Sequence, residues 1–347
     1  MNNEQKELRS MSLEELQQVM VLAGEKPFRA KQVFEWLHKK QVSSIEEMTN
    51  LSKKLRTYLK ENYTVDTLKV AKELISSIDG TRKYLFKLSD GNIIESVWMN
   101  YKHGNSVCIS SQVGCRMGCK FCASTLGGLV RNLRPSEMLE QIYRIKEATG
   151  QRVDSIVIMG SGEPLDNYDS VVRFLRLITD ENGENLSRRA ITLSTCGIVP
   201  RIYDLAKENL PITLALSLHA TTNEERIELM PIARKYSLDE VLEACEYYFK
   251  QTGRRISFEY SLVKDVNNSK EHAKRLSELI SKTNSHVNLI PVNPVKERSF
   301  ETVTRKQAED FQKMLEKNGV NATIRREMGR DISGACGQLR RSFIEKN

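Results

Sequence analysis

The chain has 347 residues, enough for two or three domains or for one barrel with a small appendage, and it can bury a sizeable core. Its 53 Lys and Arg against 45 Asp and Glu leave a formal charge of +8 and a pI of about 9.0, a surplus that favours a polyanionic partner, nucleic acid first. The mean hydropathy is −0.45, no apolar run nears the roughly 18 residues of a membrane span, and the N-terminal MNNEQKELRS lacks a signal peptide's apolar core; together these exclude a membrane or secreted protein and predict a cytoplasmic one.

In chain order, Ser12 and Glu15 form a capping-box pattern ahead of Leu13, Leu16, Val19, Met20 and Val21, and Gly24 stops that helix. Pro27 opens a second helix with Val33, Phe34, Trp36 and Leu37 on its apolar face and Arg29, Lys31, Lys39 and Lys40 in water. A third carries Leu51, Leu55, Tyr58 and Leu59. Residues 1–65 therefore read as a helical module, a candidate for RNA binding if its basic face meets phosphates, an ordinary solvated face otherwise. Residues 66–103 read as a small β extension, with extended runs Lys83–Leu88 and Asn92–Met99 and turn signals at Asp79-Gly80 and Asp90-Gly91. From 104 to 326 seven strand-like runs, starting near Val107, Ser155, Ala190, Thr213, Ile256, His286 and Ala322, alternate with helical ones. Regular βα alternation implies parallel strands, in an open sheet or a full or partial barrel, and either architecture binds ligands at the C-terminal strand ends. Residues 327–347 form a C-terminal segment.

The strongest signal lies directly after the first of these strands. Cys115, Cys119 and Cys122 make a C-x3-C-x2-C loop, with Cys108 seven residues ahead. Seven cysteines in all, three of them crowded into eight positions, suit reduced and chemically employed thiols better than disulfides. Three closely spaced thiolates can hold three corners of an iron–sulfur cubane and leave one iron open, whereas a purely electron-carrying centre is expected to have four. A zinc site with Cys108 as fourth thiolate is the competing reading. The second strand ends in Met159-Gly160-Ser161-Gly162-Glu163-Pro164, where backbone groups at Gly162 and the Glu163 carboxylate can meet an ammonium group; Leu165 breaks the alternative dinucleotide pattern. Ser194, then Ser217, Leu218 and His219, then Asn293, end three further strands on the same predicted rim. Cys196 and Cys245 read as packing residues. Cys336 sits alone in the Gly-flanked tail, bracketed by Arg325, Arg326, Arg330, Arg340 and Arg341.

The cysteine loop resembles that of the radical SAM superfamily. Taken with MGSGEPL, SLHA at 217–220, LMPI at 229–232 and ACGQL at 335–339, the chain closely resembles the RlmN/Cfr family of radical SAM adenosine methyltransferases over nearly its whole length. The resemblance implies an α/β fold, a TIM-like partial (β/α)6 barrel. It implies a 4Fe–4S cluster on Cys115, Cys119 and Cys122, and two S-adenosyl-L-methionine molecules per turnover, bound by Gly162, Glu163, Ser194, Ser217, Leu218, His219 and Asn293. The activity implied for RlmN-type members is methylation of C2 of an adenosine in the peptidyl-transferase region of 23S rRNA and of an adenosine beside some tRNA anticodons. In that scheme Cys336 carries the methyl group and becomes joined to the RNA, Cys108 is the resolving thiol, and Glu95 is the proton acceptor. A flavodoxin or ferredoxin system supplies electrons, no membrane is involved, and the chain acts as a monomer. Two alternatives stand beside it: Cfr-type methylation of C8, which Pro164 disfavours, and a non-catalytic, zinc-stabilised RNA-binding protein.

Overall fold

The structure is a computed structural model and describes residues 6–281, 284–293, 300–332 and 334. Strand β1 (Lys6–Glu7) pairs in parallel with β2 (Tyr63–Thr64), and between them lie α1 (Leu13–Leu22), α2 (Arg29–His38) and α3 (Lys53–Asn62). The capping box of α1 forms as the sequence predicts: Glu15 N donates to Ser12 Oγ at 3.3 Å and Ser12 N to Glu15 Oε2 at 2.7 Å. The β extension comprises β3 (Lys69–Ile75), β4 (Arg82–Lys87) and β5 (Ile93–Tyr101), leading antiparallel into β6 (Gly104–Ile109). β3 was not legible in the sequence, because it is an edge strand exposed along almost its whole length and buries no alternating face. Gly80 and Gly91, both at positive φ, make the two turns.

A short hairpin of β7 (Gln112–Gly114) and β8 (Leu129–Asn132) follows, then the alternation expected from the sequence: α4 (Pro135–Thr149), β9 (Ser155–Ile158), α5 (Tyr168–Ile178), β10 (Ile191–Thr195), α6 (Val199–Lys207), β11 (Thr213–Ser217), α7 (Asn223–Leu229), α8 (Leu238–Thr252), β12 (Ile256–Leu262), α9 (Lys270–Leu279), β13 (Ser285–Pro291), α10 (Arg305–Lys317) and β14 (Ala322–Ile324). β6 and the strands from β9 to β14 are parallel neighbours in chain order within one ten-stranded sheet, which ends at β14 on one side and β3 on the other. The expected partial barrel is thus present, with a seventh parallel strand, and among the described residues it is not closed. α7 was the one helix missed; seven residues are too few for a 3.6-residue period to register. No helix among the described residues is long and apolar enough to cross a membrane.

Register decides which side chains meet. Cross-strand partners share a face and alternate residues repeat it. Val97 pairs with Cys108, Cys108 with Val157, Val157 with Thr192, Ala215 with both Ser194 and Ser257, and Ser217 with Glu259. Glu95, Cys108, Ser194, Ser217 and Glu259 therefore occupy one face of a continuous sheet. Lys83, opposite Val97, lies on the same face.

The helical module packs on α4 through buried polar groups. Arg9 meets Glu140 of α4 at 2.5 Å and donates to the Val42 and Asp66 carbonyls, at 2.6 and 2.9 Å. His38 lies 3.1 Å from the Tyr143 hydroxyl. Burial, reinforced by the Arg9 cation, pushes the His38 imidazole down to about 3. Its folded pKa lies below its unfolded value of about 6.5, so its contribution to stability is complete above pH 6.5 and is lost as the pH falls from there toward 3. His38→Gln removes that dependence. In urea unfolding the variant is expected to gain about 2 kcal/mol on the wild type between pH 7 and pH 5; parallel profiles would mean that His38 is not buried neutral.

Candidate functional site

The cysteine loop hangs from the β7–β8 hairpin and is closed by its own backbone. Cys115 N donates to the Gly128 carbonyl at 3.0 Å, Cys122 N to that of Cys119 at 3.1 Å, and Thr125 Oγ1 to the Cys119 and Cys122 carbonyls at 3.2 and 2.9 Å. Lys120 N donates to the Leu229 carbonyl at 2.9 Å, tying the loop to α7. Cys115, Cys119 and Cys122 line one cavity of about 230 Å3, and Gly162, Glu163, Ser194, Ser217, His219 and Asn293 line the same cavity. Residues 178 positions apart (from 115 to 293) are gathered at the C-terminal strand ends, as parallel βα topology requires. Leu218 is the exception among the residues proposed to bind the cofactor. It is fully buried in the hydrophobic core and does not line the cavity; its backbone N donates to the Glu259 carbonyl at 3.0 Å.

The glycines of the turn after β9 answer to close backbone approach. A Cβ on Gly160 would sit 2.7 Å from the Ile109 carbonyl oxygen, and one on Gly162, at φ +110°, would sit 2.6 Å from Gln112 Cβ. Glu163 is a buried hub. Its Oε1 accepts from Leu165 N at 3.0 Å and Thr195 Oγ1 at 2.7 Å, its Oε2 from Cys196 N at 2.8 Å, and the Cys196 side chain bonds it as well. Burial raises its pKa, with these hydrogen bonds opposing. With both oxygens so occupied, the carboxylate braces the cavity wall. His219 takes a positive φ of 59° and its Nδ1 accepts from Ser261 N at 2.9 Å, so the proton of the neutral ring resides on Nε2. Burial and the nearby Arg226 push this imidazole down to about 3, which keeps it a neutral hydrogen-bond donor.

Several wall residues were missed in the sequence. Cys196, read there as packing, does pack against Cys119, but it also lines the cavity and bonds Glu163. Cys245 is a core residue as expected. Glu259 lines the cavity with a carboxylate that accepts from Asn288 Nδ2 at 2.7 Å and Ser257 Oγ at 3.2 Å, beside Arg325, also on the wall. Alternation along β12 could have singled out Ser257, Glu259 and Ser261 as one polar face. Ser110 is a joint between strands: its hydroxyl donates to the Glu95 carbonyl at 2.7 Å and accepts from Ser161 N at 2.9 Å. That links β5 to the glycine turn.

Glu95 and Cys108 do not line the cavity, although they share its sheet face. The Glu95 carboxylate is buried and lies 3.3 Å from Lys83 Nζ, itself fully buried. Cys336, Arg340 and Arg341 lie outside the described residues. The chain leading toward them is anchored on the β3–β4 turn: Asp331 accepts from Ser76 Oγ at 2.6 Å, Ser77 N at 2.8 Å and Ser77 Oγ at 3.0 Å, and Gly329 N donates to Asp79 Oδ2 at 2.9 Å. Tyr101, at the end of β5, feels the charges of Cys108, Arg325, Arg326 and Asp79.

The residues present fit an iron–sulfur cluster and a zwitterionic ligand. The donor set is all thiol, the soft set that iron–sulfur clusters take. Burial pushes the Cys115 thiol up to about 12 and raises Cys119 as well, so these sulfurs become thiolates on binding metal. Glycine backbone, hydroxyl, imidazole and amide groups complete the wall, matching the polar atoms of an amino acid and a nucleoside.

Residues 109–276 match the family model of the Radical SAM superfamily, and residues 6–65 match that of the ribosomal RNA large subunit methyltransferase N-terminal domain. A protein of Lachnoclostridium phytofermentans named "Probable dual-specificity RNA methyltransferase RlmN" is 57% identical over 98% of this chain and 96% of its own length. One of the same name from Lachnospira eligens is 58% identical over 98% and 97%. A solved radical SAM methyltransferase from Sphaerobacter thermophilus superposes with a TM-score of 0.90 at 39% identity, covering 96% of this chain and 98% of that one.

Proposed function

The chain belongs to the RlmN family of radical SAM RNA methyltransferases, and from that membership we propose that it methylates C2 of adenosine in 23S rRNA and in tRNA beside the anticodon, using two S-adenosyl-L-methionine molecules per turnover. The observation that carries the reading is the meeting of Cys115, Cys119 and Cys122 with Gly162, Ser194, Ser217, His219 and Asn293 around one cavity. C2 lies between two ring nitrogens and is too electron-poor to attack a sulfonium methyl group, so the chain needs a radical route. The cluster and S-adenosyl-L-methionine, when bound, supply the methyl group and the means of abstracting hydrogen.

Cys115, Cys119 and Cys122 hold the cluster. The glycine turn and Asn293 orient the cofactor, while His219, neutral, donates from Nε2. Cys336 takes up a methyl group on its sulfur and, after a hydrogen atom is removed from that group, delivers its carbon to C2, which joins protein to RNA; the adduct's unpaired electron would return to the cluster. Glu95 accepts the C2 proton; its carboxylate lies 3.3 Å from the buried Lys83 Nζ. Cys108 then attacks the Cys336 sulfur, the sulfur–carbon bond breaks with its electron pair on carbon, that carbon takes a proton, and a Cys108–Cys336 disulfide is left for reduction. The buried position of Cys108 on the sheet face that carries Glu95, Ser194 and Ser217 supports this role. The cluster's electrons come from a flavodoxin- or ferredoxin-type donor, and the enzyme works as a cytoplasmic monomer.

A non-catalytic zinc-stabilised protein does not survive full-length kinship with methyltransferases. C2 rather than C8 is favoured by Pro164 after the Gly-Glu pair. The test is mass spectrometry of rRNA and tRNA treated with anaerobically reconstituted enzyme. 2-Methyladenosine is the expected product; 8-methyladenosine overturns the regiochemistry, and unmodified RNA overturns the reading.

A further inference from the structure

Three cations are wholly withdrawn from solvent among the described residues: Arg9, Lys83 and Arg226. Two of them face carboxylates, Arg9 with Glu140 at 2.5 Å and Lys83 with Glu95 at 3.3 Å. Arg226, on α7, meets no carboxylate among the described residues. Its Nη2 donates to the Cys196 carbonyl at 2.7 Å and the Ser217 carbonyl at 3.3 Å, while its buried Nε and Nη1 have no hydrogen-bond partner. A buried guanidinium held this way is strongly unfavourable unless an anion accompanies it.

The surroundings identify that anion. α7 is the helix that ties down the cysteine loop through Leu229, and Pro231, just after it, would sit 3.3 Å from a Cβ on Gly118. Cys119, Cys196, Leu229 and Met230 pack together, and Arg226 feels the thiols of Cys196, Cys119 and Cys245, with the neutral His219 also nearby. The Cys196 thiol is engaged with Glu163, and Cys245 lies in the hydrophobic core. Cys119 is the one of the three that becomes a thiolate when iron binds.

We propose that Arg226 is the counter-cation of the iron–sulfur cluster, a positioning residue that offsets the negative charge of the three-thiolate centre from beside Cys119 and favours its reduced form. A cubane with three thiolates is anionic and gains a further negative charge on reduction, so a fixed, desolvated cation stabilises the reduced state more than the oxidised one. The inference rests on the assignment of the cluster to Cys115, Cys119 and Cys122.

The test compares wild type, Arg226→Met and Arg226→Lys as full-length protein, with iron content measured first. In an anaerobic titration with dithionite and redox mediators, followed by electron paramagnetic resonance, Arg226→Met is expected to lower the one-electron reduction equilibrium about tenfold, a negative shift of about 59 mV, and Arg226→Lys to restore most of it. Thermal unfolding supplies a second measurement. With the cluster removed by chelation, Arg226→Met should melt higher than the wild type, because a lone buried charge is gone; with the cluster present it should melt lower. A residue serving only to bridge Cys196 and Ser217 would lower both melting temperatures and leave the potential unmoved, and either result overturns the proposal. Wild-type protein that takes up no iron overturns the cluster assignment itself; full iron with an unchanged potential overturns only the role of Arg226.

Discussion

Replacing Cys119 by Ser is expected to abolish methylation, by on the order of 10^4-fold or more, and to leave protein that holds little iron after anaerobic reconstitution. The argument is chemical. No side chain on the cavity wall can break an unactivated bond to hydrogen, so without the cluster what remains is a cavity able to bind but not to react. Serine keeps the shape and hydrogen-bonding capacity of Cys119 and removes the soft donor, so the loop's closure through Cys122 N and Thr125 Oγ1, both of which use the Cys119 carbonyl, is untouched. RNA mass spectrometry checks the first expectation, and iron and acid-labile sulfide assays the second. Cys245→Ala, a core truncation at a residue that does not line the cavity, serves as the comparison and should keep its iron. A Cys119→Ser protein with full iron and normal turnover would remove the loop from the chemistry.

Cys108→Ala is expected to halt the reaction after bond formation. Protein and RNA should accumulate as a covalent adduct through Cys336, visible as a shifted band in denaturing gels, while steady-state turnover falls about a thousandfold or more. The size follows from effective concentration: a thiol held on the same sheet face as the site attacks as an intramolecular group, and no external thiol at millimolar concentration matches it. Cys108 is buried and paired in register with Val97 and Val157, so removing its sulfur leaves a small cavity and little other disturbance. Absence of the adduct with turnover intact would exclude Cys108 from the reaction.

Much of the architecture is local in origin. The capping box at Ser12, the Asp79-Gly80 and Asp90-Gly91 turns and the periodic helices α4, α5, α6, α8, α9 and α10 were legible because each is specified within a few residues. The cysteine loop and the glycine turn were legible for the same reason, and βα alternation was enough to place both on one rim. β3 was not, since an exposed edge strand carries no burial pattern, and neither was α7, whose single buried arginine gives no period. Leu218 shows the opposite failure. Its neighbours Ser217 and His219 line the cavity, but the backbone leaves the strand after Ser217, with His219 at positive φ, and sends Leu218 into the core.

By itself the sequence determined the chemistry available: the three-thiol spacing, the surplus of positive charge and the order of strands that gathers ligands at one end. What only the tertiary structure decided is which distant groups share a wall and which charges have partners. Lys83 against Glu95, the Ser110 hydroxyl between Glu95 and Ser161, and Arg226 on the Cys196 carbonyl are contacts across strand register and helix packing. Their energies depend on burial, which no single residue's identity specifies; a lysine or arginine is ordinary in water and consequential only once the fold has removed the water around it.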